Sequence, residues 1–274
     1  MNRHAIVRIG GLAALAVGVG AVRAGDDVPT LDSIRALAIR SPYRISASAR
    51  AGTIRYRLRV DAREWSWPET AEQHVERDGD DAVLTICADC GREPAPSAAA
   101  LAGYLAPNDA VRSDDAAVRA FARGVRAGGD VDGRMRALTA AVRRHMTGAI
   151  EFRGYGDARQ ALESRSGDCT ETAVLLAAAA RARGIAARVA FGVAYSAHSP
   201  FGDHVFVPHM WVQAWNGARW ISYDAALERF DAGHVALALG DGSTASARAI
   251  VPAIARLRIV GMTGIVPERA NAGP

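Results

Sequence analysis

The sequence predicts an α+β protein, and three observations carry that prediction. Segments of helical period are gathered between residues 114 and 183. Segments that alternate apolar and polar residues, the period of a half-buried strand, lie before and after them. Asn216-Gly217, between two of the later strands, is the strongest short signal for an antiparallel hairpin. Helices segregated from antiparallel strands in this way define the class.

Half of the 274 residues are hydrophobic, enough to bury a core as one large domain or two small ones. The formal net charge is +4, but the chain contains no Lys, so all 33 basic residues are Arg. Abundant Ala, Arg and Gly without Lys points to a GC-rich genome. The Arg residues are interspersed with Asp and Glu and form no basic block, which argues against a nucleic-acid partner.

At the N-terminus, Arg3, His4 and Arg8 precede a small-residue apolar run over residues 9–22, and Val22-Arg23-Ala24 resembles a cleavage site. This predicts a secretory signal peptide over residues 1–24, and hence a periplasmic or secreted protein. An uncleaved N-terminal anchor is the alternative. The run is shorter than the ~20 residues of a bilayer span, and no later stretch is long enough, so no stable membrane insertion is expected after cleavage.

Residues 25–105 read as a β-rich N-terminal region. Residues 53–60 alternate, Trp65-Ser66-Trp67-Pro68 interrupts them, Asp78-Gly79-Asp80 turns, and residues 82–87 form another strand. The unit over 106–240 begins with helices. Ala117, Val118, Phe121 and Val125 share a face after Ser113, a plausible N-cap. A second helix spans about 133–145, and residues 157–162 suit a short helical piece. An Ala-rich helix runs from Cys169 to Arg183, closed by Gly184. Strands at 188–195, 209–215, 219–224 and 234–239 follow, with a polar loop expected over 196–208. Residues 241–274 form an extension with a final strand near 257–260.

Cys169 sits in the first turn of the Ala-rich helix, behind Gly167 and Asp168. Unpaired N–H groups and the helix dipole there favour a thiolate, and the same groups can hold an oxyanion. Gly167 would allow close approach of a substrate. A buried structural cysteine is the competing reading. A cysteine nucleophile needs an imidazole, and His209 opens a strand after the polar loop. With a two-residue turn at Asn216-Gly217, Asp224 falls directly opposite His209 on the same face, placed to orient the ring.

The segments Gly167-Asp168-Cys169-Thr170-Glu171, Arg181 to Arg188, His209-Met210-Trp211-Val212-Gln213 and Trp220-Ile221-Ser222-Tyr223-Asp224 resemble the blocks of the transglutaminase-like superfamily, and more closely its exported bacterial members. The resemblance covers about residues 114–240. It implies a papain-like core, with Cys169 as nucleophile, His209 as base and Asp224 as orienter. The chemistry it implies is acyl transfer from a peptide or protein amide through a thioester, as a cysteine peptidase, deamidase or transglutaminase. No cofactor is implied. The chain departs from the common family pattern at Ala186, Gln213 and Ala225, positions of scaffold. A second oxyanion donor is expected upstream of the cysteine, with Tyr155 and Gln160 as local candidates. Trp211 is a candidate wall of the cleft, weighed against cross-strand core packing. The alternative function is a non-catalytic peptide- or protein-binding envelope module that keeps the fold.

Cys87 and Cys90 are three residues apart, and an exported chain favours their disulfide over free thiols or a metal site. Cys169 is then the unpaired thiol. His198, Asp203 and His204 invite a metal reading, but solvation in a loop is the simpler one, so no metal is predicted. His234 reads as core-edge structure.

Overall fold

The computed structural model describes residues 31–61, 65–151 and 154–264. The signal-peptide segment lies outside these residues. A short helix α1 (Leu31–Ala36), a two-residue strand β1 (Ile39–Arg40) and one turn of helix α2 (Ala47–Arg50) lead into β2 (Ile54–Val60). The alternation read in the sequence is the burial pattern of β2: Ile54, Tyr56, Leu58 and Val60 point inward while Arg55 is exposed. The Asp78-Gly79-Asp80 turn joins β3 (Gln73–Asp78) to β4 (Asp81–Ile86), with Gly79 at φ +62°.

Helices follow: α3 (Ala98–Gly103), α4 (Ala116–Gly124), α5 (Val131–His145), α6 (Ala158–Ser164) and α7 (Cys169–Ala182). The side chain that caps α4 is Asp115, not Ser113; its carboxylate accepts from the amides of Ala117 and Val118. Asp130 caps α5 in the same manner. The chain then runs through β5 (Ala187–Ser199), β6 (Gly202–Trp215), β7 (Trp220–Tyr223), β8 (His234–Gly240), α8 (Thr244–Ile254) and β9 (Leu257–Thr263).

Two antiparallel sheets result. One is ordered β1-β6-β5-β8, with β7 also on β6; the other is β3-β4-β2-β9. The fold is therefore α+β. Strand β9 comes from the C-terminal segment yet completes the N-terminal sheet against β2. Helix α7 packs on β5 and β6, with α4, α5 and α6 on its other side. It is buried from Glu171 to Arg181, and its run of Ala residues lets helices and sheet close on it. Burying Val174, Leu175 and Leu176 contributes about 1.5–3 kcal/mol each.

Two further sequence expectations are corrected. Residues 196–208 do not form a loop; β5 and β6 continue as one long hairpin to the pair Ser199↔Gly202. The Gly and Pro residues suggested a loop, but Val205, Phe206 and Val207 sustain the ladder, and Pro208 pairs with Val193. The Asn216-Gly217 turn is also longer than two residues. The last pair is Trp215↔Trp220, so four residues make the connection. Asn216 Oδ1 accepts from the amides of Ala218 and Arg219, stabilising that wider turn.

The N-terminal sheet is fastened to the other by buried side chains. The Gln73 amide pairs with the backbone of Ala236, accepting from its N–H at 2.9 Å and donating to its carbonyl at 3.0 Å. The Glu72 carboxylate accepts from the Ser222 amide at 3.1 Å. Tyr56 Oη donates to the Ala232 carbonyl at 2.6 Å.

Candidate active site

The first turn of α7 presents Cys169. Asp168 caps the helix, accepting from the Thr170 amide at 2.7 Å, and Glu171 reaches back to the Asp168 amide at 3.0 Å, completing a capping box. Glu171 also accepts from the Gly156 amide at 2.9 Å. Gly167 lies at φ +144°, and a Cβ there would stand 2.8 Å from Glu171 Cβ. The glycine thus makes room for the capping glutamate, where the sequence suggested room for substrate.

The Cys169 sulfur rests against both neighbours of His209. It lies 3.9 Å from the Pro208 carbonyl oxygen and accepts the backbone N–H of Met210. His209 is buried on β6, and its Nε2 lies 2.6 Å from Asp224 Oδ2. Burial alone would raise the Asp224 carboxyl, but the charges and hydrogen bonds of His209 and His234 hold it far below the usual carboxylate range. An ionised carboxylate only accepts, so Nε2 supplies the N–H of this contact and Nδ1 is the ring nitrogen left without it. Opposite His209 on β5 is Gly192, where a Cβ would stand 1.9 Å from the Val235 carbonyl oxygen. The sheet bulges there against β8.

Cys169, Pro208, His209, Met210 and Gly192 line one cavity of about 1110 Å³. Its outer walls are largely apolar and include Leu37, Ile150, Phe201, Leu227, Val251 and Ile254. It has the dimensions and lining of a ligand-binding cleft. Burial pushes the Cys169 thiol well up, and Asp168, Asp224 and Glu171 push it further against the Met210 N–H. These influences act against the thiolate-favouring effect expected of the helix N-terminus. Asp168 itself is raised to about 7 by burial and by Glu171.

Residues 119–225 match the family model of the transglutaminase-like superfamily. This segment belongs to the transglutaminase-like superfamily. No curated protein sequence matches the chain. Among solved structures, a candidate cysteine protease from Cytophaga hutchinsonii is 18% identical, with 77% of this chain and 85% of that chain covered and a TM-score of 0.46. The periplasmic domain of TgpA from Pseudomonas aeruginosa is also 18% identical, covering 69% of this chain and 76% of that one, at a TM-score of 0.45. Red sea bream transglutaminase is 11% identical over 69% of this chain and 47% of its own, at 0.35.

Within the transglutaminase-like domain the remaining sequence candidates are dispersed. Tyr155 lines the cavity, but its hydroxyl donates to the Gly242 carbonyl at 2.8 Å. Gln160 is exposed and serves as the far half of a capping box on α6, accepting from the Asp157 amide; it is not among the cavity-lining residues. Trp211 is buried behind His209, its ring stacked at 6.1 Å and its indole N–H donating to Ser222 Oγ at 3.1 Å. It supports the imidazole and does not line the cavity. The donors left for an oxyanion are backbone: the Met210 N–H, which meets the sulfur, and the Cys169 N–H, which has no intrahelical acceptor in the first turn.

His234 was missed as a site residue. Its Nε2 lies 3.0 Å from the same Asp224 Oδ2, and its Nδ1 3.2 Å from Asp231 Oδ1. Ligand atoms of His209, Asp224 and His234 lie within 4.8 Å of one another, a set a cation could draw on. The Asp224 oxygen already holds both imidazoles at hydrogen-bonding distance, so we treat the trio as a hydrogen-bonded group. His198 pairs with Asp203 at 3.0 Å and His204 with Tyr195 Oη at 2.7 Å, on exposed and half-buried parts of the hairpin. Cys87 and Cys90 are joined in a disulfide, leaving Cys169 as the free thiol. Among the described residues, no helix is long and apolar enough to cross a membrane.

Proposed function

We propose that this protein is an exported cysteine-dependent enzyme that acts on peptide or protein amides through a thioester on Cys169. The observation that carries the proposal is the seating of the Cys169 sulfur between Pro208 and Met210, the neighbours of an imidazole that Asp224 orients through Nε2. In this mechanism His209 Nδ1 takes the thiol proton as sulfur attacks the amide carbonyl carbon. The tetrahedral oxyanion is held by backbone N–H groups at the helix start and at Met210. Collapse breaks the C–N bond, and the imidazolium gives its proton to the departing amine. Attack on the thioester by water, deprotonated by His209, releases an acid and restores the thiol; this is peptidase or deamidase chemistry. Attack by an amine forms a new amide instead.

Burial and the neighbouring carboxylates push the Cys169 thiol up, so activation accompanies substrate binding. The same observation favours the second reading, a peptide-binding envelope module with an inert thiol. Incubating the full chain with a peptide library and searching Cys169 for acyl adducts by mass spectrometry separates the two. The enzyme forms adducts that are lost in His209→Ala; the module forms none. Export draws on Arg3, Arg8 and the apolar run that follows them, and on the Cys87–Cys90 disulfide. Cell fractionation with N-terminal sequencing of the mature chain tests it.

A further inference from the structure

Asp224 is held by two imidazoles, and only one of them has work in the acyl-transfer cycle. Behind the second stands a chain of alternating charge, buried at Asp224 and His234 and partly buried at Asp231 and Arg50. Arg50 Nε donates to Asp231 Oδ2 at 2.9 Å; Asp231 Oδ1 lies 3.2 Å from His234 Nδ1; His234 Nε2 lies 3.0 Å from Asp224 Oδ2; and that oxygen lies 2.6 Å from His209 Nε2. The backbone is arranged to hold this chain, since the Arg50 carbonyl accepts the Ala232 amide at 2.8 Å and Asp231 Oδ1 accepts the Gly233 amide at 2.8 Å.

His234 has acceptors on both sides. Nε2 meets the Asp224 carboxylate; Nδ1 meets the carboxylate and the carbonyl of Asp231 when protonated, and accepts the Asp231 amide at 3.2 Å when it is not. A neutral imidazole has one N–H and can donate to only one of the two carboxylates; an imidazolium donates to both. The other groups facing it leave that balance in place. His209 on β6 stands 5.4 Å away between ring centroids, Trp211 and Phe230 close the ring at 5.2 and 5.1 Å, and the Glu72 carboxylate beside β3 senses its charge. Burial favours neutral His234, but the bonds to Asp224 and Asp231 win and raise it to about 9.

We propose that His234 is a positioning residue that sets how much of the Asp224 charge reaches His209. The proposal rests on the reading of Cys169, His209 and Asp224 as the catalytic group. When His209 takes the proton of Cys169, two imidazolium rings share one carboxylate. The second cation therefore weakens a standing thiolate–imidazolium pair and eases the return of the proton to a departing amine. A group that merely orients Asp224 would do neither.

The test follows the ring protonation of His209 by NMR across pH in the full chain carrying Cys169→Ser, which removes the thiol from the titration. It is repeated with His234→Gln, which keeps an N–H for Asp224 and removes the charge, and with Asp231→Asn. Two charges about 5 Å apart interact strongly enough that removing one changes proton binding about tenfold. His234→Gln is expected to make His209 bind its proton about tenfold more tightly, and Asp231→Asn to move it the same way by less. An unchanged titration, or tighter binding in neither variant, overturns the proposal. If His234→Gln does not fold, Asp231→Asn alone decides. Acyl trapping on the wild-type chain reports separately on the catalytic assignment. Trapping without a titration change sinks this inference only, and a titration change without trapping sinks the function.

Discussion

Asp224 meets His209 at 2.6 Å from one residue beyond the last pair of β6 and β7, Val212↔Tyr223. The two are diagonal neighbours on one face, and the carboxylate reaches back along the sheet to the ring. Its other oxygen, Oδ1, accepts the amides of Ala226 and Leu227 at 2.7 and 3.0 Å, which fixes the side chain at the strand end. The position and tautomer of the imidazole depend on this one carboxylate.

Asp224→Asn is therefore expected to lower acyl-enzyme formation by about 10²–10⁴-fold while largely preserving the shape of the site. The amide can donate as well as accept, so it no longer selects the tautomer with Nδ1 free. Rates of adduct formation on Cys169, beside melting curves for both proteins, check this. An Asn variant as fast as wild type excludes Asp224 as the orienting group.

His234 couples the site to stability. Its proton affinity is raised from 6.5 to about 9 in the folded state. A raised histidine stabilises fully below about pH 6.5, and its contribution is lost as pH climbs towards 9. The contribution at stake is on the order of 3 kcal/mol. Urea unfolding at pH 6 and pH 9 is expected to show this loss in wild type and not in His234→Gln.

Glu72 acts in a lower window. Burial raises it to about 7 despite the hydrogen bonds from Ser222. The folded state then binds a proton that the unfolded state releases near 4.5, so stability falls as pH rises from about 4.5 to 7 and is level above that. Glu72→Gln mimics the protonated form and is expected to remove this fall. Unfolding measured at pH 4.5 and pH 6.5, below the His234 window, reads it.

Gly167→Ala should cost about 1–3 kcal/mol, because the residue sits at φ +144° and a methyl group would press on Glu171. Displacing Glu171 undoes the capping box beside Cys169, so acyl-enzyme formation should fall along with the melting temperature. A variant as stable and as active as wild type contradicts this account of the helix start.

What was legible in the sequence was local. Gly167-Asp168-Cys169 with Glu171 announces a capped helix start because capping chemistry is complete within four residues. The same face for His209 and Asp224 was legible because strand parity survives a loop lengthened from two residues to four. The direct pairing was not, since it depended on Asn216 closing a tighter turn than it does. His234 went unread because its partners are brought to it by the β5–β8 ladder and by the turn at Asp231, neither of which has a periodic signature. The upward push on the Cys169 thiol was not legible for a related reason. The helix dipole is visible in the sequence, whereas the approach of Asp224 and the enclosure of the sulfur are made by the fold.

The most direct test is mass spectrometry of Cys169 after the full chain meets a library of amide-bearing peptides, quenched in acid to preserve thioesters. The account predicts an acyl group on Cys169 of the wild type, and none on His209→Ala under the same conditions. A wild-type Cys169 that stays unmodified across the library, in a chain shown to be folded and with its thiol free, would contradict it.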